Sequence, residues 1–184
     1  MNSRSISSSE QIRDQVLCVS NLFNHEMYSP SVRPPNPADE AWRRESKENQ
    51  YRRAIYTYWL RTNPYPSMIT FDSPQRNICS SRRIRTNTPL QALTALNDTV
   101  SYAAAQNIAL LMEKIKTNKI EDKINAGYHQ IFQKYPNKQK IILLTQFFQE
   151  ALIDLRKKKK ENPEYFALTL TANAMMNLDG FLTK

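Results

Sequence analysis

Apolar residues recur at spacings of three and four along most of this chain, a rhythm that predicts helices. Ser7 to Glu10 reads S-x-x-E, a capping box, ahead of Ile12, Val16, Val19 and Phe23 on one helical face. A first helix is expected near residues 9–24. Thr88, Pro89 and Gln91 supply three agreeing start signals: an N-cap, a proline at the first helical position, and a capping-box partner three residues on. Leu90, Leu93 and Leu96 run on from that start. Asn97-Asp98-Thr99 then stops this helix and caps the next, whose stripe is Val100, Ala104, Ile108, Leu111 and Ile115. Three more stripes follow: Ile120, Ile124, Tyr128 and Ile131; Ile141, Leu144, Phe148, Ala151 and Leu155; and Ala167, Leu170, Ala174 and Leu178. Asn137 and Pro163 mark starts among them.

The rhythm breaks in the middle. Residues 29–50 hold four prolines, many charges and Trp42, the pattern of an extended connector packed locally by that tryptophan. "YRRAIYTYWLRTNPYP" is aromatic and β-branched over a short span closed by prolines, which favours a strand over an aromatic helical turn. Residues 63–87 show no sustained period. The expected class is mainly α, with an irregular Pro/Arg-rich central segment and room for one or two short strands. At 184 residues the chain is sized for one domain. Its expected parts are a disordered tail over 1–8, the connector, a central segment over 51–98 and a helical part over 99–184.

Charge and cysteine usage narrow the chemistry. Lys and Arg number 26 against 17 Asp and Glu, for a formal net charge of +9, which fits an anionic partner. Arginine is concentrated between Arg43 and Arg85, and lysine in the C-terminal half. Cys18 and Cys79 are the two cysteines, with no zinc-ligand spacing and no C-x-x-C-H, so no covalent haem and no metal site is expected on this chain. The start lacks a signal-peptide core, and no run of 18 apolar residues offers a membrane span.

"YRRAIYTYWLRTNPYPSMITFDSPQRNICSSRRIRTNTPLQALTALND" resembles the signature of the C-terminal domain of unknown function in planctomycete-type cytochrome c proteins, the domain of unknown function 1553 family. "EQIRD", "PSVRPP" and the closing "ANAMMNLDGFLTK" extend the resemblance to residues 8–184. Tyr28-Ser29 before the connector and "KYPNKQ" at Lys134 to Gln139 depart from the family's usual turns. The resemblance implies a truncated or fragmentary member of an extracytoplasmic protein, periplasmic or secreted. It further implies that c-type haem resides on an upstream module and that this cytochrome or companion domain is the partner.

The strongest polar cluster is Asp72, Arg76, Cys79, Arg82, Arg83, Arg85, Thr86, Asn87 and Thr88, beside a helix start. Free N–H groups, the helix dipole and arginine forks there suit an anion, such as an acidic carbohydrate. In the alternative, Asp72 pairs internally and the Thr and Asn groups satisfy a tight turn, making a structural clasp. Cys79, with no histidine near it in sequence, reads as a buried small residue and Cys18 as core. His25 and His129 read as capping or surface groups. "RKKKKE" at Arg156 to Glu161 reads as a solvated helix end rather than a nucleic-acid patch. Three functions stay open: an accessory or substrate-engaging domain, a basic nucleic-acid module, which is disfavoured, and a structural or interaction domain whose apolar stripe another part covers.

Overall fold

A computed structural model describes residues 6–28, 30–34, 49–74, 79, 83 and 86–183. Among these residues the chain is mainly helical. Its α-helices are α1 (Ser9–Val19), α2 (Pro66–Thr70), α3 (Pro89–Asn97), α4 (Thr99–Glu113), α5 (Ile120–Phe132), α6 (Lys138–Lys157), α7 (Pro163–Met176) and α8 (Asp179–Leu182). None is long and apolar enough to cross a membrane.

The helix starts follow their capping chemistry. The box at α1 forms one residue later than the Ser7 to Glu10 reading: Ser8 accepts from the Gln11 N–H while the Gln11 side chain accepts from the Ser8 N–H. The Gln91 side chain accepts from the Thr88 N–H at α3, the Asp98 carboxylate accepts from Val100 and Ser101 at α4, and Asn137 accepts from Lys140 at α6. Each bond satisfies a donor that the first helical turn leaves unpaired.

The central pair is α4 and α7, with α6 covering α7 and with α1 and α5 beside α4. Ala104, Ala105 and Ala109 on α4 and Ala167 and Ala172 on α7 are fully buried, small enough for close helix approach. Ile108, Met112, Leu168 and Met175 fill the space between. On α5, Gly127 faces Met112: an added Cβ would lie 2.6 Å from its sulfur and 2.9 Å from its Cγ.

Several expectations need correction. The first helix ends at Val19 rather than near 24, because Asn21 is left-handed (φ 57°) and closes a Schellman turn. In that turn the Leu22 N–H donates to Leu17 O and the Asn21 N–H to Cys18 O. Asp72 (φ 57°) after α2 and Lys159 (φ 49°) after α6 make the same turn, again without glycine. The central aromatic run forms no strand. Two 3₁₀ turns (Asn49–Tyr51 and Ala54–Tyr56) occupy it, with isolated parallel bridges from Arg52 to Asn24 and from Thr57 to Val32.

The α7 stripe was misplaced as well. Thr169 and Thr171 are buried and Leu170 is partly exposed, because α7 runs between α4 and α6 and buries most of its circumference. Both threonines direct their hydroxyls back to helix carbonyls, Tyr165 O and Ala167 O, which lets them sit in apolar surroundings. Ile6, in the stretch read as a tail, is buried and bridges Thr183, while the Ser7 N–H donates to Leu182 O. Trp42 lies outside the described residues.

Candidate functional site

Three polar assemblies use the arginine-rich segments. In the first, the Asp72 carboxylate accepts from the Thr86 N–H at 2.6 Å and from the Thr86 hydroxyl at 2.8 Å. Gln91, buried on the inner face of α3, donates to Thr70 O and to the Thr86 hydroxyl oxygen at 3.0 and 3.1 Å. The turn after α2 and the approach to α3 are thereby fastened together. Asn87 and Thr88 are exposed beside this knot.

Arg83 is the second assembly's cation. It reaches both carboxylate oxygens of Glu10 in the first turn of α1, at 3.0 and 3.1 Å. Burial alone would raise the Glu10 carboxyl, but its own backbone N–H and the Arg83 charge outweigh that and hold it below its ordinary value. Glu10 and Arg83 line an open groove of about 590 Å³ with Asp14, Arg53 and exposed Ile55. Arg53 lies 3.8 Å from Asp14 there. Arg76, Arg82 and Arg85, the other arginines expected at an anion site, lie outside the described residues.

The third assembly was not anticipated from the sequence. Arg13, from the "EQIRD" helix, is only 7% exposed; its Nη2 donates to Gln50 O at 2.7 Å and its guanidinium lies 5.8 Å from the Tyr65 ring centroid. The Tyr65 hydroxyl donates to Asp98 at 2.9 Å. Burial, then the Asp98 charge, pushes the Tyr65 hydroxyl far up, against the opposing pull of Arg13. Arg52 is fully buried. It donates to Glu26 O at 2.9 Å and to Pro30 O at 3.2 Å, and stacks 4.3 Å from the Tyr56 centroid. A helical period of apolar residues marks Ile12 and Val16 as buried but says nothing of the arginine between them. For Arg52 the available signal was arginine among aromatics in "YRRAIYTYWLR", and a strand reading absorbed it.

Cys18 and Cys79 are both free and exposed, which corrects the buried reading of each. Cys18 falls on the outer face of α1, away from Leu17. His25 sits beyond α1 with its ring 4.8 Å from Phe23, and His129 sits in the last turn of α5, 4.8 Å from Tyr135. Among the described residues no three His, Cys, Asp or Glu side chains gather as metal ligands.

On its other side α3 presents a different surface. Pro89, Leu90, Ala92, Leu93 and Leu96 all face outward, with Leu90 61%, Leu93 56% and Leu96 40% exposed. No charged residue occurs in the helix. No curated protein and no solved structure matches the chain. The family model described as a protein of unknown function, DUF1553, matches residues 2–148, a span that holds α1 to α5, all three polar assemblies and the leucine face. The chain belongs to that DUF1553 family.

Proposed function

We propose that the chain is an accessory docking domain of an extracytoplasmic, cytochrome c-linked protein, and that a companion domain carrying the c-type haem seats on the outer face of α3. The observation that carries this reading is the leucine face. A nine-residue helix with no charge and three leucines 40–61% exposed is poorly suited to water. Burying the remaining surface of those leucines would contribute about 3 kcal/mol. That is enough to fix where a partner sits. The fastening of Asp72, Thr86 and Gln91 supports the same reading, since those groups spend their hydrogen bonds holding α3 in place.

A second reading is engagement of an anionic carbohydrate. It is favoured by Arg83 together with exposed Asn87 and Thr88 before a helix whose first turn holds no acid. Two assays separate them. In sedimentation or titration with the haem-bearing companion domain, the docking reading expects binding that Leu90→Ser/Leu93→Ser abolishes while the circular dichroism spectrum is retained. Equal binding by this variant would sink the docking reading. The carbohydrate reading expects acidic oligosaccharide binding that is lost in Arg83→Ala and kept in the leucine variant.

A further inference from the structure

A small cavity between α1, α2, α3 and α4 adjoins the Arg13 assembly. It measures about 30 Å³, and Ser9, Arg13, Ser67, Asp98 and Ser101 line it together with apolar side chains. Arg13 decides what such a space can hold. Among the described residues its Nε is buried with no hydrogen-bond partner, and Arg13 forms no ion pair. A buried donor in this condition requires an acceptor.

Size and charge then select the occupant. A water needs roughly 10–15 Å³ of such space and two to four polar neighbours, so the cavity accommodates one or two waters and nothing much larger. An anion would satisfy Nε but would meet the Asp98 carboxylate on the same lining. A cation would satisfy Asp98 but meet the guanidinium. A neutral molecule that accepts from Arg13 and donates to a carboxylate or hydroxyl oxygen meets both demands. We propose that the cavity is a resident water site, and that its water joins Arg13 to Asp98 as a solvent-bridged ion pair.

The site has a structural role that neither the family nor the docking reading supplies. Arg13 belongs to α1, Ser67 to α2, and Asp98 is the N-cap of α4 directly after α3. Ala95 lines the cavity from the buried side of α3, away from Leu93. A water between Arg13 and Asp98 therefore ties α1 to the junction on which the leucine face is mounted.

Crystals of the full chain, at a resolution that shows ordered solvent, should reveal a peak within about 2.7–3.2 Å of Arg13 Nε and of a second polar atom in the cavity. A cavity without density overturns the proposal. Ala95→Val supplies an independent test by sign. Filling a dry cavity raises the thermal midpoint, whereas displacing a bonded water strands Nε and lowers it, here by about 2–4 °C. In an Arg13→Met background, which has no Nε to satisfy, the same change should be neutral or stabilising. An equal fall in both backgrounds would attribute the loss to crowding alone and would also overturn the proposal. If a variant fails to fold, the wild-type crystal decides.

Discussion

Arg52→Ala should release the segment that the buried guanidinium fastens. Arg52 donates to Glu26 O and Pro30 O and stacks on Tyr56, at no exposure to solvent. A hydrogen bond to a charged donor contributes about 1.5–3 kcal/mol, and a desolvated cation over an aromatic ring about 1–2 kcal/mol. Two bonds and one stack would sum to more than the observable loss, because the carbonyls are only partly buried and regain water when the side chain is gone. The expected loss for Arg52→Ala is about 3–4 kcal/mol, a large share of a stability of roughly 5–15 kcal/mol. Arg52→Lys keeps the charge but cannot bond both carbonyls from a planar fork, so it should fall between, at about 1–2 kcal/mol. Urea unfolding measures the order. Hydrogen exchange locates it, because the amides of Asn24, Val32 and Tyr58 bond to Tyr51 O, Tyr56 O and Val32 O across the same joint and should lose protection first. A loss below about 1 kcal/mol for Arg52→Ala, with those amides still protected, would refute the clamp.

Gly127→Ala should destabilise by about 1–2 kcal/mol in thermal unfolding despite alanine's better helix propensity, because its methyl would enter the space of buried Met112. Pairing it with Met112→Ala should recover part of that loss and not add to it. Glu10→Gln tests the pH dependence of the Arg83 pair. The Glu10 carboxyl is held below its ordinary value in the folded chain, so its contribution is present above the unfolded value and is lost as pH falls through the folded one. The wild type should therefore exceed Glu10→Gln by under ~1 kcal/mol at neutral pH, since Arg83 is about half exposed, and the difference should vanish in acid.

The helices were legible wherever one face meets water. Ile124, Tyr128 and Ile131 on α5 and Leu144 and Phe148 on α6 are buried as their spacing implies, and Asp98, Asn137 and Thr88 mark starts because their capping chemistry is local. Periodicity failed on α7, which has no solvent face broad enough to give a stripe. It failed at Leu90, Leu93 and Leu96 for the opposite reason: apolar spacing identifies the face that avoids water without telling whether this chain itself covers it. Arg13 and Arg52 were hidden because burial of a guanidinium depends on carbonyls and rings brought from elsewhere in the chain, as Gln50 and Tyr65 are for Arg13. The aromatic run from Tyr51 to Leu60 misled for a related reason. Its β-branched and aromatic content suits a pleated strand, but among the described residues no neighbouring strand pairs with it beyond single bridges, and the backbone turns into 3₁₀ geometry.

Asn21, Asp72 and Lys159 stand in left-handed turns that most helices close with glycine. Average usage would give a chain of this length about 13 glycines, and this one has 2, alongside 10 prolines. The cost of those turns falls on the native state, at roughly 1–2 kcal/mol for an ordinary side chain. The return falls on the denatured ensemble: a backbone with few glycines has fewer conformations to surrender, so folding removes less disorder. Part of this domain's resistance to unfolding therefore resides in the stiffness of the unfolded chain, where no contact in the folded structure would reveal it.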